Sequence, residues 1–355
     1  MPGYAIYRLP HETHATLVQQ TDGDPAELLS CAELNGRSGF VVAPFEVRAD
    51  QPVLLIRPDT VETFDVSVGR GGECAMSPTD HAPASGRLSV SPTYAVDFAN
   101  FHSQLELGAF RKIVLARCAD ETIADDVDPM QLFRRACRLY PRMFISLVST
   151  PQSGLWLTAT PEILLDGGGG TPWRTIALAG TMQLEGEQLQ GEGETARWST
   201  KNIQEQRFVA TYIAECLEQF TGDFREEGPY TARAANLVHL RSDFTFTLPA
   251  ADRLGDLLQA LHPTPAVCGL PKRDAFRFII GNEHTPRRYY SGFMGLLDPL
   301  RQTHLYVSLR CMNISGRQCH LYAGGGLLRE STVEQEWLET ESKLETMRQV
   351  LDIRT

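Results

Sequence analysis

The stretch Tyr322-Ala-Gly-Gly-Gly-Leu-Leu-Arg-Glu-Ser331, continued by Thr332-Val-Glu-Gln-Glu336-Trp-Leu-Glu339-Thr-Glu-Ser-Lys343, decides how the chain is read. An apolar run passes into three consecutive glycines, and a strongly helical segment begins soon after. Glycine lets a backbone turn where a Cβ would clash and leaves amides open to an anion. Gly324, Gly325 and Gly326 are therefore expected to form a turn. Ser331 or Thr332 is placed to cap the helix, with Glu334 as the capping-box partner of Ser331. Within the helix Glu336 and Glu339 are i, i+3, and Glu339 and Lys343 are i, i+4, so all three share one face. Carboxylate oxygens suit a hard cation such as Mg²⁺. The stretch reads as an anion cradle beside a metal-binding helix. The same spacing also fits a solvated face with weak ion pairs, so other parts of the chain must decide.

Composition narrows the field. The chain has 355 residues, 42% hydrophobic and 22% charged, which is ordinary for a globular protein large enough to bury a sizeable core. Its net charge of -11, without a local basic patch, argues against a nucleic-acid partner. The eight cysteines are scattered with no C-x-x-C, which fits reduced core thiols. The first residues lack the apolar segment of a signal peptide, and no stretch approaches a membrane span. A cytoplasmic monomer without a membrane partner is expected.

Working outward from the glycines, residues 1–90 read as short strands (Tyr4–Arg8, Gly39–Ala43, Val53–Ile56, Thr63–Val68) split by turns such as Gly69–Gly72. Helices are expected over about 94–108, 129–139, 199–220, 251–261 and 272–280, and strands over 111–117, 143–149, 155–158, 176–181, 235–240 and 305–312. Residues 183–194 read as a polar loop. Strands and helices are mixed without a βαβ repeat, which predicts an α+β fold.

Several of these elements carry chemistry. In Arg111-Lys-Ile-Val-Leu-Ala-Arg117, alternation puts Lys112, Val114 and Ala116 on one face and Ile113, Leu115 and Arg117 on the other. Both faces hold apolar residues, so Lys112 is read as partly desolvated, which would lower its pKa and make it a general base. A lysine snorkelling to water at the strand mouth is the other reading. Glu162, between a proline and three aliphatic residues, would have its pKa raised and serve as a general acid, or else be a solvent-facing edge residue. Gly180-Thr181 ends a small-residue strand with an amide and a hydroxyl to offer. Lys201 and Glu205 share a helix face. The segment His262-Pro-Thr-Pro is too rich in proline for regular structure and reads as a rigid loop.

These motifs, taken with Tyr290-Ser-Gly, Leu-Arg310-Cys and Glu336-Trp-Leu-Glu339-Thr, resemble the chorismate-utilising enzymes in their order along the chain. That family includes anthranilate, aminodeoxychorismate, salicylate and isochorismate synthases, and the likeness runs from about Tyr94 to the C-terminus. The resemblance implies one large α+β domain over 1–355 with two packed β-sheets flanked by helices. In it, 1–90 is a variable part completing the sheets and 91–355 holds the motifs. It also implies that Glu205 and Glu339, with Glu336 direct or through water, hold Mg²⁺, which holds the ring carboxylate of the substrate chorismate. Tyr290 and Arg310 would grip the pyruvyl carboxylate, helped by Gly180, Thr181, the Gly324–Gly326 amides and Lys343. His262 would lie near the ring hydroxyl. Members that add ammonia have glutamine at the position of Lys112, so lysine implies the branch that adds water: Lys112 as base and Glu162 as acid give isochorismate, for menaquinone or siderophore synthesis. Salicylate synthase shares both residues and is the nearest alternative, with an amine-adding synthase further off. Two positions depart from the family pattern, Gln206 in place of histidine and Gly325 in place of alanine.

Overall fold

The computed structural model describes residues 2–66, 89–123, 127–183, 197–234, 237–249 and 251–351. The turn expected at 69–72, the loop over 184–194 and the start of the strand at 235–236 lie outside these residues. The chain opens with strands β1 (Tyr4–Arg8), β2 (His14–Gln19), β3 (Ala26–Leu28), β4 (Gly39–Ala43), β5 (Val53–Ile56) and β6 (Thr60–Asp65). Then come α1 (Pro92–Glu106), β7 (Lys112–Thr122), α2 (Pro129–Leu139), β8 (Phe144–Thr150), β9 (Gly154–Thr160), β10 (Ile163–Gly168) and β11 (Thr171–Gln183). Next are α3 (Thr200–Leu217), β12 (Phe224–Ala234), β13 (Leu237–Phe246), α4 (Leu254–Leu261), β14 (Gly269–Leu270) and α5 (Lys272–Asn282). The chain ends with β15 (Phe293–Leu297), β16 (Thr303–Val307), β17 (Cys311–Ser315), β18 (Gln318–Leu327) and α6 (Val333–Leu351).

Among the described residues the strands form two nine-stranded antiparallel sheets. One runs β14-β7-β18-β17-β9-β8-β1-β2-β6, and the other β12-β13-β11-β10-β16-β15-β4-β5-β3. Alternation explains the layering. In β1 and β8, Ala5, Tyr7, Phe144 and Val148 point into the space between the sheets, while Ile6, Ile145 and Leu147 pack outward with residues of α2 and α6. The inter-sheet layer is aromatic, with Phe144 and Tyr306 stacked at 4.3 Å across it. Helices α3 and α4 cover the outer face of the second sheet, and α1 and α5 pack over β7 with Trp337 of α6. This is the expected α+β architecture. No described helix is long and apolar enough to cross a membrane, and the seven described cysteines are free, all buried except the half-buried Cys118.

Two crossings between the sheets matter most for function. The chain leaves the first sheet at Thr160 and enters the second at Ile163, so Pro161-Glu162 spans the gap. It returns from β16 to β17 through Ser308-Leu309-Arg310. The single strand expected over 305–312 is thus two strands in different sheets. The break falls where Arg310 takes a left-handed φ of 47°, which a residue in continuous strand does not adopt.

Candidate active site

A cleft of about 630 Å³, including its open mouth, lies between the sheets and collects both crossings. Glu162 and Arg310 line it, together with Gly180, Thr181, Glu205, Tyr290, Gly324, Gly326 and Lys343.

The three glycines correct the expectation of a turn. All lie in β18, paired with Ala116, Leu115 and Val114 of β7, and none has a positive φ. β17 begins only opposite Tyr322, so past that point no described strand pairs with the other edge of β18. Side chains crowd in there instead. A Cβ at Gly326 would stand 2.2 Å from Glu205 Oε1 and 2.8 Å from Lys112 Cε. At Gly325 it would stand 2.8 Å from Glu336 Oε2 and 3.9 Å from Glu339 Oε1, and at Gly324 2.7 Å from the Tyr290 hydroxyl. Glycine is needed for close approach, and Gly325 faces the carboxylates of α6 rather than the cleft.

Each of the three carboxylates carries a lysine. Lys112 Nζ lies 2.9 Å from Glu205 Oε1, Lys201 Nζ 2.5 Å from Glu336 Oε1, and Lys343 Nζ 2.7 Å from Glu339 Oε1. Lys343 also donates to the Gly324 carbonyl at 2.8 Å. Ser331 does not form the expected capping box with Glu334; its hydroxyl donates to Glu336 Oε1 at 2.6 Å. Glu336 Oε2 is buried without a partner. Burial, then the charge of nearby Glu339, pushes the Glu336 carboxyl up to about 7. An unpartnered buried carboxylate oxygen, two mutually repelling carboxylates and an all-oxygen donor set are what a hard divalent cation relieves. The residues fit such an ion, although Glu205, Glu336 and Glu339 do not yet bring their oxygens within 4.8 Å of one another.

Lys112 is fully buried, as its strand position demands, but it does not line the cleft; Glu205 and Gly326 cover it. Glu162 is buried at the crossing, its amide bonded to Thr160 Oγ1 at 3.2 Å and its carbonyl to the Val307 amide at 2.9 Å. Burial pushes its carboxyl up to about 8, against the opposing pull of Lys112 and Lys343. Glu205 is half-buried and also desolvated, yet Lys112 in contact, with Lys343 and Lys201 beyond, outweighs desolvation and holds it below the usual value.

On the other wall, Arg310 donates from Nη2 to His239 Nε2 at 2.7 Å. His239 Nδ1 lies 3.1 Å from the Gly180 carbonyl, which requires the proton on Nδ1 and leaves Nε2 as the acceptor. Burial, then the charge of Arg310, holds this imidazole neutral. Gly180 has φ +70° at a register shift in β11, and its would-be Cβ lies 3.1 Å from Asn202. Tyr290 stacks on Tyr322 at 5.5 Å, and burial raises its phenol, which keeps it a donor.

His262 departs from expectation. It does not line the cleft. Its Nε2 lies 2.9 Å from the Pro44 carbonyl, its ring packs edge-on against Phe293 at 5.1 Å, and burial lowers its pKa to about 3. The loop reaches the site through other residues. Ala266 and Val267 line the cleft, and Thr264 presents a buried hydroxyl toward Glu162 without full hydrogen-bond geometry. His239 was not anticipated from the sequence. Gln206, the departure beside Glu205, is buried and donates to Ser242 Oγ at 2.8 Å on the second sheet.

Residues 82–352 match the family model described as "Chorismate binding enzyme". The chain belongs to this family. It is 34% identical over 255 residues to the isochorismate synthase MenF of Escherichia coli K12, covering 69% of this chain and 57% of that protein. It is 32% identical over 252 residues to the salicylate biosynthesis isochorismate synthase of Pseudomonas aeruginosa, covering 70% and 52%. The sequence match thus spans little more than half of each relative's length. The solved structure of the menaquinone-specific isochorismate synthase MenF from Escherichia coli superposes with a TM-score of 0.76 at 25% identity, covering 99% of this chain and 89% of that one.

Proposed function

We propose that the chain is an isochorismate synthase: it binds chorismate in the inter-sheet cleft, adds water at C2 and expels the C4 hydroxyl with an allylic shift. The observation that carries this reading is a buried carboxyl held protonated, Glu162, lining the cleft, with a buried amine, Lys112, just behind its wall under Glu205 and Gly326. Arg310, oriented by neutral His239, offers its fork to a substrate carboxylate, and the Tyr290 hydroxyl and Gly180-Thr181 supply further donors. Glu205, Glu336 and Glu339 would hold Mg²⁺, whose positive charge would fix the ring carboxylate in place.

The proton balance then follows. Lys112 takes a proton from water as its oxygen bonds to C2, the ring double bond shifts, and the C4–O bond breaks as Glu162 delivers its proton to the departing oxygen. One water enters and one leaves. Glu205, which touches Lys112 at 2.9 Å and covers it, has to move aside for the amine to reach water in the cleft, and this couples the base to the carboxylates beside it. Relatives named as isochorismate synthases, including those quoted above, support the water-adding branch. The test is chromatography of products after incubating the protein with chorismate and Mg²⁺. Isochorismate that vanishes on chelation is expected; anthranilate formed with ammonia would refute the reading.

A further inference from the structure

The strand pair that carries the cleft continues to a different cluster at its other end. Cys118 lies six residues beyond Lys112, about 20 Å along β7. Cys118 and Asp120 share one strand face, and Asp120 pairs across the ladder with His320. His320 Nδ1 stands 2.6 Å from Asp120 Oδ1, and Cys118 Sγ stands 3.9 Å from the same oxygen. One ligand atom from each residue lies within 4.8 Å of the other two, and among the described residues no other His, Cys, Asp and Glu trio achieves this.

We propose that Cys118, Asp120 and His320 form a second metal site, for a borderline-soft divalent ion of the Zn²⁺ class. Thiolate, carboxylate and imidazole are the donors such ions take, with bonds of about 2.0–2.3 Å. Tetrahedral geometry at those lengths sets ligand atoms about 3.6 Å apart; the 2.6 Å and 3.9 Å separations present straddle that distance, so the imidazole would give up its hydrogen bond to Asp120 to ligate. One thiolate and one carboxylate neutralise the ion, the thiol proton passes to solvent, and the fourth position is left to water. The site is accessible: the Asp120 and His320 side chains are 69% and 35% exposed. Its donors also differ in kind from the all-oxygen set of Glu205, Glu336 and Glu339, so the two sites select different ions.

The probe is Co²⁺, titrated into the full chain already saturated with Mg²⁺. One equivalent is expected to bind with a near-ultraviolet thiolate-to-cobalt band and the visible bands of a tetrahedral ion, and Zn²⁺ should bleach both. C118S should lose the thiolate band. H320Q and D120N, at accessible positions, should weaken binding by at least about ten-fold, whereas E339Q should bind as the parent does. A parent protein without the thiolate band, or a band that survives in C118S, would overturn the site. So would H320Q and D120N both binding Co²⁺ as tightly as the parent.

Discussion

Glu162 and Glu205 face one cleft from two sides, one buried and one half-buried, and both are desolvated, yet they are driven in opposite directions. Glu162 sits at a sheet crossing where no described cation reaches ion-pair distance, and desolvation pushes it up to about 8. Glu205 touches Lys112 at 2.9 Å and is held below the usual carboxylate value. Desolvation sets the baseline, and a contact cation reverses it. One residue type thereby yields a protonated carboxyl on one wall and a carboxylate anion on the other.

The largest effect is expected from erasing the amine. K112Q should lower kcat by about 10²–10⁴-fold, the range for a general base, and should also remove the partner that keeps Glu205 charged. Mg²⁺ affinity measured by calorimetry should change with it. E162Q should lose a similar factor in kcat while chorismate still binds, because only the proton is removed. Unchanged turnover in either variant would break the contrast.

The pH dependence sharpens it. Below about pH 8 Glu162 keeps its proton, so turnover should fall as pH rises through that value. The unfolded chain sheds this proton near the ordinary Glu value of about 4.3. The native state therefore binds the extra proton between the two values. Its contribution to stability is full below the lower one and is lost as pH rises through the upper. Thermal melts of E162Q should gain on the parent as pH is raised toward 8 and above.

Smaller effects follow at the supporting residues. R310K, which replaces a fork by a point charge, should raise KM by about ten-fold, equivalent to about 1.4 kcal/mol. H262A should lower the melting temperature through its lost contacts with Pro44 and Phe293, with kcat near the parent's. A kcat loss as large as that of E162Q would restore His262 to the chemistry.

Local signals in the sequence were reliable where local physics decides. Helix α2 starts and stops at the expected residues because Asp128 caps it and Pro129 fits its first turn. The two-faced pattern of β7 pointed to a partly desolvated Lys112, with snorkelling to water as the other reading, and the structure buries it fully. Long-range geometry was not legible in this way. The Gly324–Gly326 run looks like a turn until α3 and α6 are seen to press carboxylates against it. Arg310 looks like mid-strand until the chain is seen to change sheets. His239 reaches Arg310 through the register that sets it opposite Thr181, which no local pattern encodes.

The most direct measurement is the product formed from chorismate and Mg²⁺ by the parent protein and by K112Q, followed by chromatography with a pyruvate assay alongside. Isochorismate from the parent, no pyruvate, and almost no turnover by K112Q are the predicted results. Pyruvate released with salicylate by the parent, or isochorismate made at full rate by K112Q, would contradict the account.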